Sequence, residues 1–160
     1  MDVFLIRHAH AGSRTFGPHD LYRQLTDDGH RQAKELASYF ASLPLSAVYS
    51  SPATRCTQTV EPTARAAGLS VVEHEHLWED AGVDRALELI DQVCAESSGP
   101  GGLILCSHGN LIPAVVERLS LPGIPLYGRG CERASIWRLR RHDDRWTEAR
   151  YLTPRSAYGL

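Results

Sequence analysis

The chain has 160 residues, a length that fits one domain with a sizeable buried core, and we predict a single domain over residues 1–160. Its composition is 42% hydrophobic and 22% charged, which excludes a disordered or fibrous protein. The formal net charge is -2, so the chain has no overall attraction for a nucleic acid polymer or an anionic membrane, and any affinity for phosphate must be local.

Short apolar runs alternate with longer helical patterns along the first two thirds of the chain. The runs expected to form strands are Val3 to Ile6, Ala47 to Tyr49, Leu69 to Val72 and Leu103 to Cys106. Such alternation is typical of βαβ units that build a mostly parallel sheet covered by helices. We therefore predict an α/β fold, a three-layer sandwich with a mostly parallel central sheet flanked by helices.

Helix signals lie between these strands. Thr26 is the expected N-cap of one helix, and Ser51 followed by Pro52 predicts a second helix that starts near Pro52 and carries Arg55 in its first turn. A third helix should end at the turn formed by residues 97–102. The apolar stripes of the first and third helices are Ala33, Leu36, Ala37 and Phe40, and Ala86, Leu87, Ile90, Val93 and Cys94.

The C-terminal part of the chain has a different pattern. Residues 134–140 and 146–152 read as two strands around the polar turn from His142 to Arg145. A polar turn of this kind between two strands predicts a β-hairpin, which should add an antiparallel element at the edge of the sheet.

The cysteines and the N-terminus bear on the compartment. Cys56, Cys94, Cys106 and Cys131 never form a C-x-x-C pair, which argues against a zinc knuckle and against a disulfide framework. The sequence shows neither a secretory signal pattern nor an apolar run of bilayer length. We expect a cytoplasmic protein with reduced thiols.

Polar side chains follow three of the predicted strands directly. They are Arg7-His8 after the first strand, Ser50 to Arg55 after the second, and Ser107 to Asn110 after the fourth. Ligands of open α/β sheets bind beyond the carboxyl ends of the strands, so we expect these three stretches to converge on one site.

Two arginines and two histidines in one crevice suit a dianionic phosphate, because guanidinium groups bind phosphate oxygens in pairs. No acidic residue in the three stretches balances them, so we expect the ligand to supply the counter-charge. His8 is the candidate nucleophile that attacks phosphorus. His108, in its protonated form, would donate to a phosphate oxygen, with Arg7 and Arg55 completing the clamp.

Four motifs in order resemble those of the histidine phosphatase superfamily, also called the phosphoglycerate mutase-like superfamily. Leu5 to Ala9 resembles its R-H-G/A signature, and Leu25 to Ala33 resembles its L-T-x-x-G-x-x-Q-A segment. Ser50 to Thr59 is similar to S-S-P-x-x-R-x-x-Q-T, and Ser107 to Gly109 is similar to its final S-H-G. The resemblance covers residues 3 to about 119.

The resemblance implies that His8 becomes phosphorylated, that Arg7, Arg55, His108 and Gly109 bind the phosphoryl group, and that no metal or organic cofactor takes part. It places Ser13 and Arg14 where the family's loop meets phosphate or substrate. It also places a general acid after the third strand, where Glu79 is the better match and Asp80 the alternative. For Glu79, stabilisation of a helix N-terminus is an equal alternative.

The chain length resembles that of the short SixA-type phosphohistidine phosphatases, and residues 7–14 also resemble the phosphatase-like domain of some Nudix hydrolases. The expected substrate is accordingly a phosphohistidine protein or a phosphorylated small molecule such as a nucleotide. Ala9 stands where the family more commonly has glycine, and no counterpart of the mutases' extended cap is found, so both departures argue against mutase activity. A phosphomutase is the alternative enzyme. The non-enzymatic alternative is a module that binds a phosphorylated ligand without turnover.

Several side chains stay open at this point. His10 could line the rim of the site or face water, and the arginines of the 128–133 loop could face its mouth or form a solvated turn. His74 and His76 could be metal ligands, although a solvated strand edge is the simpler interpretation because no third ligand is near in sequence. Substrate discrimination is assigned to rim residues, namely Arg14, His19, Tyr22 and Trp78.

Overall fold

The chain is described by a computed structural model over residues 1–153; residues 154–160 of the predicted domain lie outside the described residues. Its strands are β1 (Asp2–Arg7), β2 (Leu45–Ser50), β3 (Val71–Glu73), β4 (Gly102–Ser107), β5 (Leu126–Tyr127), β6 (Ile136–His142) and β7 (Arg145–Leu152). Its α-helices are α1 (Asp27–Phe40), α2 (Thr54–Ala66), α3 (Val83–Glu96) and α4 (Leu111–Ser120). Two short 3₁₀ helices cover Gly17–Tyr22 and Glu75–Leu77.

The strands form one sheet in the order β3-β2-β4-β1-β6-β7-β5. The four strands β3, β2, β4 and β1 are parallel neighbours, whereas β6 runs antiparallel to both β1 and β7. Helices cover both faces of the sheet, so the predicted three-layer, mostly parallel α/β architecture is confirmed.

The apolar runs of the central strands are continuous because both faces of the sheet are buried. On β1, Phe4 and Ile6 point toward the layer of α1 and α2, where they pack with Leu36 and Phe40. Val3 and Leu5 point the other way. They pack against α3 and α4, whose buried residues include Leu89, Ile90, Ile112 and Val115. Two apolar layers therefore hold β1 and β4 rigidly in the middle of the molecule.

The predicted hairpin is present, and its turn has the expected chemistry. Asp143 and Asp144, with φ values of 44° and 61°, both adopt the left-handed conformation that a tight two-residue hairpin requires. Its position differs from the prediction, because the hairpin lies between β1 and a further strand, β5, which pairs parallel to β7 at the outer edge. The sequence does not reveal β5, since it has only two residues, both exposed.

The helix starts agree with the sequence at one position and differ at another. Thr26 caps α1 by accepting a hydrogen bond from the Gly29 amide, as predicted. The second helix begins at Thr54 rather than near Pro52, and Ala53 rather than Ser51 is its N-cap residue. The Ser51 hydroxyl is used elsewhere, as described below, and Arg55 still lies in the first turn of α2.

Candidate active site

The carboxyl ends of β1, β2 and β4 meet at one edge of the sheet. Arg7 pairs with Ser107 in the register of β1 and β4, and Ser50 pairs with Cys106 in that of β2 and β4. A cleft of about 740 Å³ opens at this edge. Its lining includes every residue predicted to be catalytic or to bind phosphate: Arg7, His8, Ser13, Arg14, Arg55, Glu79, Asp80, His108 and Gly109.

His8 is held in one orientation at the end of β1. Its backbone amide donates to the Ser107 carbonyl at 3.0 Å, and its side chain is buried. Nδ1 lies 2.8 Å from the Ala9 carbonyl oxygen. Because a carbonyl only accepts, Nδ1 carries the proton of the neutral ring, and Nε2 keeps a free electron pair.

The protonation state of His8 follows from its surroundings. Burial lowers the pKa of His8 to about 3, with a further lowering by nearby cationic side chains, although the bond to Ala9 acts in the opposite direction. The imidazole is therefore neutral across the physiological pH range. A neutral imidazole with an unprotonated Nε2 is the form that can act as a nucleophile.

Arg55 projects from the first turn of α2 into the base of the cleft and is 0% exposed. Its Nη1 donates to the Asp20 carbonyl at 2.8 Å and lies 3.3 Å from the Asp20 carboxylate. Its Nη2 lies 3.8 Å from a Glu79 carboxylate oxygen. The expectation that only the ligand supplies the counter-charge is therefore wrong, because two protein carboxylates flank this guanidinium.

Asp20 is the centre of a buried polar cluster that sequence reasoning did not find. Its carboxylate accepts from Arg23 Nε at 2.9 Å and from the Thr15 amide at 3.0 Å. Although burial raises the pKa of Asp20, the bonds from Arg23 and Thr15 outweigh that effect and lower it. An acid within the polar segment Gly17–Tyr22 gives no sequence signal of burial, because the buried Arg55 that it faces is 35 positions away in the chain.

Arg7 lies across the cleft from Arg55. Its Nη1 donates to the Cys131 carbonyl at 2.6 Å, which ties the end of β1 to the loop before β6. The guanidinium also packs directly against Gly109, where an added Cβ would lie 2.7 Å from Arg7 Cζ. A side chain at position 109 would therefore displace the Arg7 guanidinium, which the glycine leaves in place.

His108 follows β4 and lies behind His8, with ring centroids 5.6 Å apart. Its Nε2 is 2.8 Å from Ser51 Oγ, and its Nδ1 is 3.3 Å from Arg55 Nη2. A guanidinium only donates, so Nδ1 accepts and the ring is neutral in this arrangement. The sequence predicts a protonated His108 that donates to a phosphoryl oxygen. In that state Nδ1 would carry a proton and would bind the phosphoryl oxygen in place of Arg55.

The remaining motif residues brace the loop that carries His8. Gln32 Oε1 accepts from the His10 amide and Thr59 Oγ1 accepts from the Ala9 amide, each at 2.9 Å. A Cβ on Gly29 would lie 2.0 Å from the His10 carbonyl oxygen, so α1 approaches this loop more closely than any side chain permits. These motif positions hold the backbone around His8 in place.

Glu79 and Asp80 lie at the mouth of the cleft, after the 3₁₀ helix Glu75–Leu77. One Glu79 oxygen pairs with Arg14 at 3.4 Å and the other faces Arg55 at 3.8 Å. The Glu79 carbonyl accepts from the Asn110 side chain at 2.8 Å, which joins this segment to the start of α4. Glu79 is partly buried, whereas Asp80 is exposed, so Glu79 is the carboxylate more enclosed in the cleft.

The structure also locates the residues whose roles the sequence leaves undecided. His10 lines the cleft and shares a 2.7 Å hydrogen bond between Nδ1 and the Thr26 hydroxyl. Trp78 packs against the His108 ring, with centroids 5.3 Å apart, while His19 and Tyr22 are exposed and outside the cleft lining. His74 Nδ1 accepts from the His76 amide, so that histidine caps a 3₁₀ helix.

The comparison with protein families decides the identity of the fold. The family model described as "Histidine phosphatase superfamily (branch 1)" matches residues 3–84, just over half of the chain. The chain belongs to the histidine phosphatase superfamily. Its architecture is the phosphoglycerate mutase-like fold, as the solved structures most similar to it also indicate.

Three solved structures illustrate this similarity. The histidine phosphatase SixA in complex with tungstate has a TM-score of 0.73 and 20% identity, covering 96% of this chain and 95% of its own. A protein of Agrobacterium tumefaciens, provisionally named phosphohistidine phosphatase SixA, has a TM-score of 0.69 and 26% identity, covering 96% and 98%. The mycobacterial glucosyl-3-phosphoglycerate phosphatase with inorganic phosphate has a TM-score of 0.75 and 18% identity, covering 98% of each chain.

These solved structures are similar to this chain in both fold and length. The alignments extend over nearly the whole of each chain, so the chain is also similar in size to short phosphatases. Within residues 1–153, no helix is long and apolar enough to cross a lipid bilayer.

Proposed function

We propose that this histidine phosphatase hydrolyses a phosphoryl group through a covalent phosphohistidine on His8. The observation that carries the proposal is the placement of His8: a buried imidazole that lines the cleft, with Nδ1 2.8 Å from the Ala9 carbonyl oxygen. Nδ1 must donate to that carbonyl, so Nε2 is the nitrogen left to attack. Arg7, Arg55 and His108 line the same cleft and would bind the phosphoryl oxygens.

The first step is an in-line displacement. The Nε2 electron pair of His8 attacks phosphorus, an N–P bond forms, and the bond from phosphorus to the leaving group breaks. Arg7 and Arg55 neutralise the equatorial oxygens as charge develops. Arg55 suits this role because the protein already holds its guanidinium rigidly between Asp20 and Glu79 before substrate arrives.

Protons enter and leave at the mouth of the cleft. In the first step Glu79, when protonated, gives its proton to the leaving oxygen. In the second step a water attacks phosphorus, the N–P bond breaks, and Glu79 accepts a proton from the water. Orthophosphate and free His8 are the products. Asp80, more exposed at the same mouth, is the alternative proton donor.

The relatives support two substrate classes. SixA is named as a protein histidine phosphatase, and the mycobacterial relative acts on glucosyl-3-phosphoglycerate, a small ester. We propose the same two classes for this chain, a phosphohistidine protein or a phosphorylated small molecule. The relatives are complexed with tungstate, vanadate or inorganic phosphate, so these oxyanions should inhibit this enzyme competitively.

One experiment tests the covalent mechanism. Purified protein is mixed with ³²P-labelled phosphohistidine carrier or aryl phosphate, quenched rapidly in base or acid, and counted for protein-bound label. We expect a base-stable, acid-labile phosphoenzyme and release of orthophosphate. His8→Asn should abolish both, whereas His10→Asn, a histidine of the same loop, should still become labelled.

The phosphomutase alternative predicts a different product. If the product is an isomerised ester and no free orthophosphate forms, the phosphoryl group is transferred from His8 to an organic acceptor and not to water. Binding of phosphate without any turnover or label, across a broad set of phosphorylated metabolites and carriers, would contradict the enzymatic proposal altogether.

A further inference from the structure

Arg133 lies in the loop between β5 and β6 and lines the cleft together with Glu79. It lines both the main cleft and an adjoining recess shared with Arg7, Gln32 and Glu132. Its side chain is exposed, and within residues 1–153 no carboxylate lies in ion-pairing distance of it. This guanidinium is therefore available to an incoming ligand.

The backbone directly after Arg133 is hydrogen-bonded to the strand that carries the nucleophile. The Ala134 amide donates to the Arg7 carbonyl at 3.1 Å and to the His8 carbonyl at 3.3 Å. The Arg7 amide donates in turn to the Ser135 carbonyl at 3.1 Å. The position of Arg133 relative to His8 is thus set by main-chain bonds rather than by a free loop.

Ala134 adopts an unusual conformation at this junction. It is 0% exposed and has φ of 61°, the left-handed region in which an alanine costs roughly 1 kcal/mol. Strain of this kind persists only where surrounding contacts determine it. Here it turns the chain so that Ala134 is buried under the Arg7 and His8 carbonyls while Arg133 stays at the mouth.

Three other arginines near the cleft already have carboxylate partners. Arg23 pairs with Asp20 at 2.9 Å, Arg14 pairs with Glu79 at 3.4 Å, and Arg55 lies near both carboxylates. A phosphoryl dianion between Arg7 and Arg55 would still leave the Arg133 guanidinium without an ion-pair partner among the described residues. Arg133 is exposed and lines the same cleft, so it can meet the organic part of a substrate.

We propose that Arg133 forms a second anion subsite, which selects substrates whose organic part carries a further negative group, a carboxylate or a second phosphate. The inference rests on the proposed function only in that it places the reacting phosphoryl group beside His8. It predicts that a substrate with a neutral organic part is bound less well than a charged substrate of the same shape.

A binding experiment with phosphonates tests this subsite without turnover, because a phosphonate has no bond that hydrolysis can break. Each ω-carboxyalkylphosphonate is paired with an alkylphosphonate of equal length, and chains of two to four carbons cover the unknown reach. A parallel set of α,ω-bisphosphonates distinguishes a second phosphate from a carboxylate. Dissociation constants are measured by calorimetry at low and at 0.5 M salt.

We expect the doubly charged member of at least one pair to bind about twofold to fivefold more tightly, as is typical of an exposed charge pair, and the advantage to shrink in salt. Arg133→Gln should remove the advantage and leave the affinity of the alkylphosphonate unchanged. Arg129→Gln is the matched control, since Arg129 is an exposed arginine of the same loop outside the cleft lining. It should keep the advantage.

Three results would overturn the subsite. They are equal affinity within every pair, an equal loss in the Arg129 and Arg133 variants, or a loss on Arg14→Gln with none on Arg133→Gln. The outcome is separable from that of the proposed function. Charge-selective binding without any phosphate release would support the subsite and contradict the proposed phosphatase activity. Phosphate release without charge-selective binding would support the phosphatase activity and contradict the subsite.

Discussion

The side chain of His8 is bonded to the carbonyl oxygen of its own neighbour, Ala9, through Nδ1 at 2.8 Å. The bond is local, yet it fixes which nitrogen carries the proton, because a carbonyl has no proton to give. Nε2 is left unprotonated and faces the cleft. The neutral state of the ring then depends on burial, which disfavours the imidazolium.

The tautomer of His8 can be observed directly. With its pKa lowered to about 3, His8 should remain the neutral Nδ1–H tautomer from pH 8 down to about pH 4. ¹⁵N-detected NMR of histidine side chains, with His8→Asn used for assignment, should show one ring whose shifts do not move over that range. A midpoint near the ordinary value of 6.5 would contradict the assignment.

The same lowered pKa makes the stability of the fold depend on pH. Between about 6.5 and about 3 the unfolded chain binds a proton at His8 that the folded chain excludes, so stability is present above pH 6.5 and is lost as pH falls. From pH 6.5 to pH 5 the loss from His8 should be about 2 kcal/mol. Urea unfolding of wild type and His8→Asn measures it.

His8→Asn has no imidazole to protonate, so its unfolding free energy should fall less steeply over the same interval. Other groups with lowered pKa values, such as Asp20, titrate in both proteins and cancel in the comparison. Parallel curves for the two proteins would mean that His8 is protonated in the folded state.

Removal of the Asp20 charge should destabilise the protein. Asp20→Asn leaves the buried Arg55 without its nearer carboxylate, and breaking such a pair typically costs about 3 kcal/mol. Asp84→Asn removes an exposed ion pair with Arg118 and should change stability by less than about 1 kcal/mol. Urea unfolding at pH 7.5 compares them; equal effects would show that the Asp20 charge is not what stabilises Arg55.

Gly109→Ala should impair the enzyme through Arg7. The new methyl group would lie 2.7 Å from Arg7 Cζ, so the guanidinium must move, and we expect kcat/KM to fall by about tenfold or more. In an Arg7→Ala background the same methyl group has nothing to displace. The double variant should therefore be no worse than Arg7→Ala alone, whereas additive losses would place the effect of Gly109 elsewhere.

The role of Glu79 is tested by varying the leaving group. A general acid contributes about 10²-fold or more where the leaving oxygen is a poor leaving group, and little where it is a good one. Glu79→Gln should therefore slow alkyl phosphates far more than 4-nitrophenyl phosphate, while Asp80→Asn slows both only slightly. An equal loss on both substrates would assign Glu79 to phosphate or arginine positioning.

The sequence predicted the parts of the site that follow from strand ends and motif spacing. Arg7 and His8 were placed correctly because a buried strand must deliver its last residues to one edge of a parallel sheet. Arg55 was placed correctly because a helix start confines its first turn. The structure also explains two glycines of the motifs: a Cβ on Gly29 would clash with the His10 backbone, and a Cβ on Gly109 would displace the Arg7 guanidinium.

The sequence did not predict partners that depend on tertiary distance. Asp20 lies 35 positions from Arg55 in a polar segment, and nothing in its neighbours marks it as buried. Arg133 lies in a loop whose composition is that of a solvated turn, and its place at the cleft depends on main-chain bonds to Arg7 and His8. Ser51 resembles a helix cap, yet its hydroxyl contacts His108.

The bond from Arg55 to Asp20 has a consequence for engineering this enzyme. Residues 11–25 form much of the rim of the cleft, and they are the natural segment to exchange with a relative when a new substrate is wanted. That segment also carries the acid that neutralises the cation at the base of the cleft. A grafted loop without an acid at position 20 would change the rim of the cleft and would also remove the carboxylate that faces Arg55. Asp20 should therefore be kept in any such exchange.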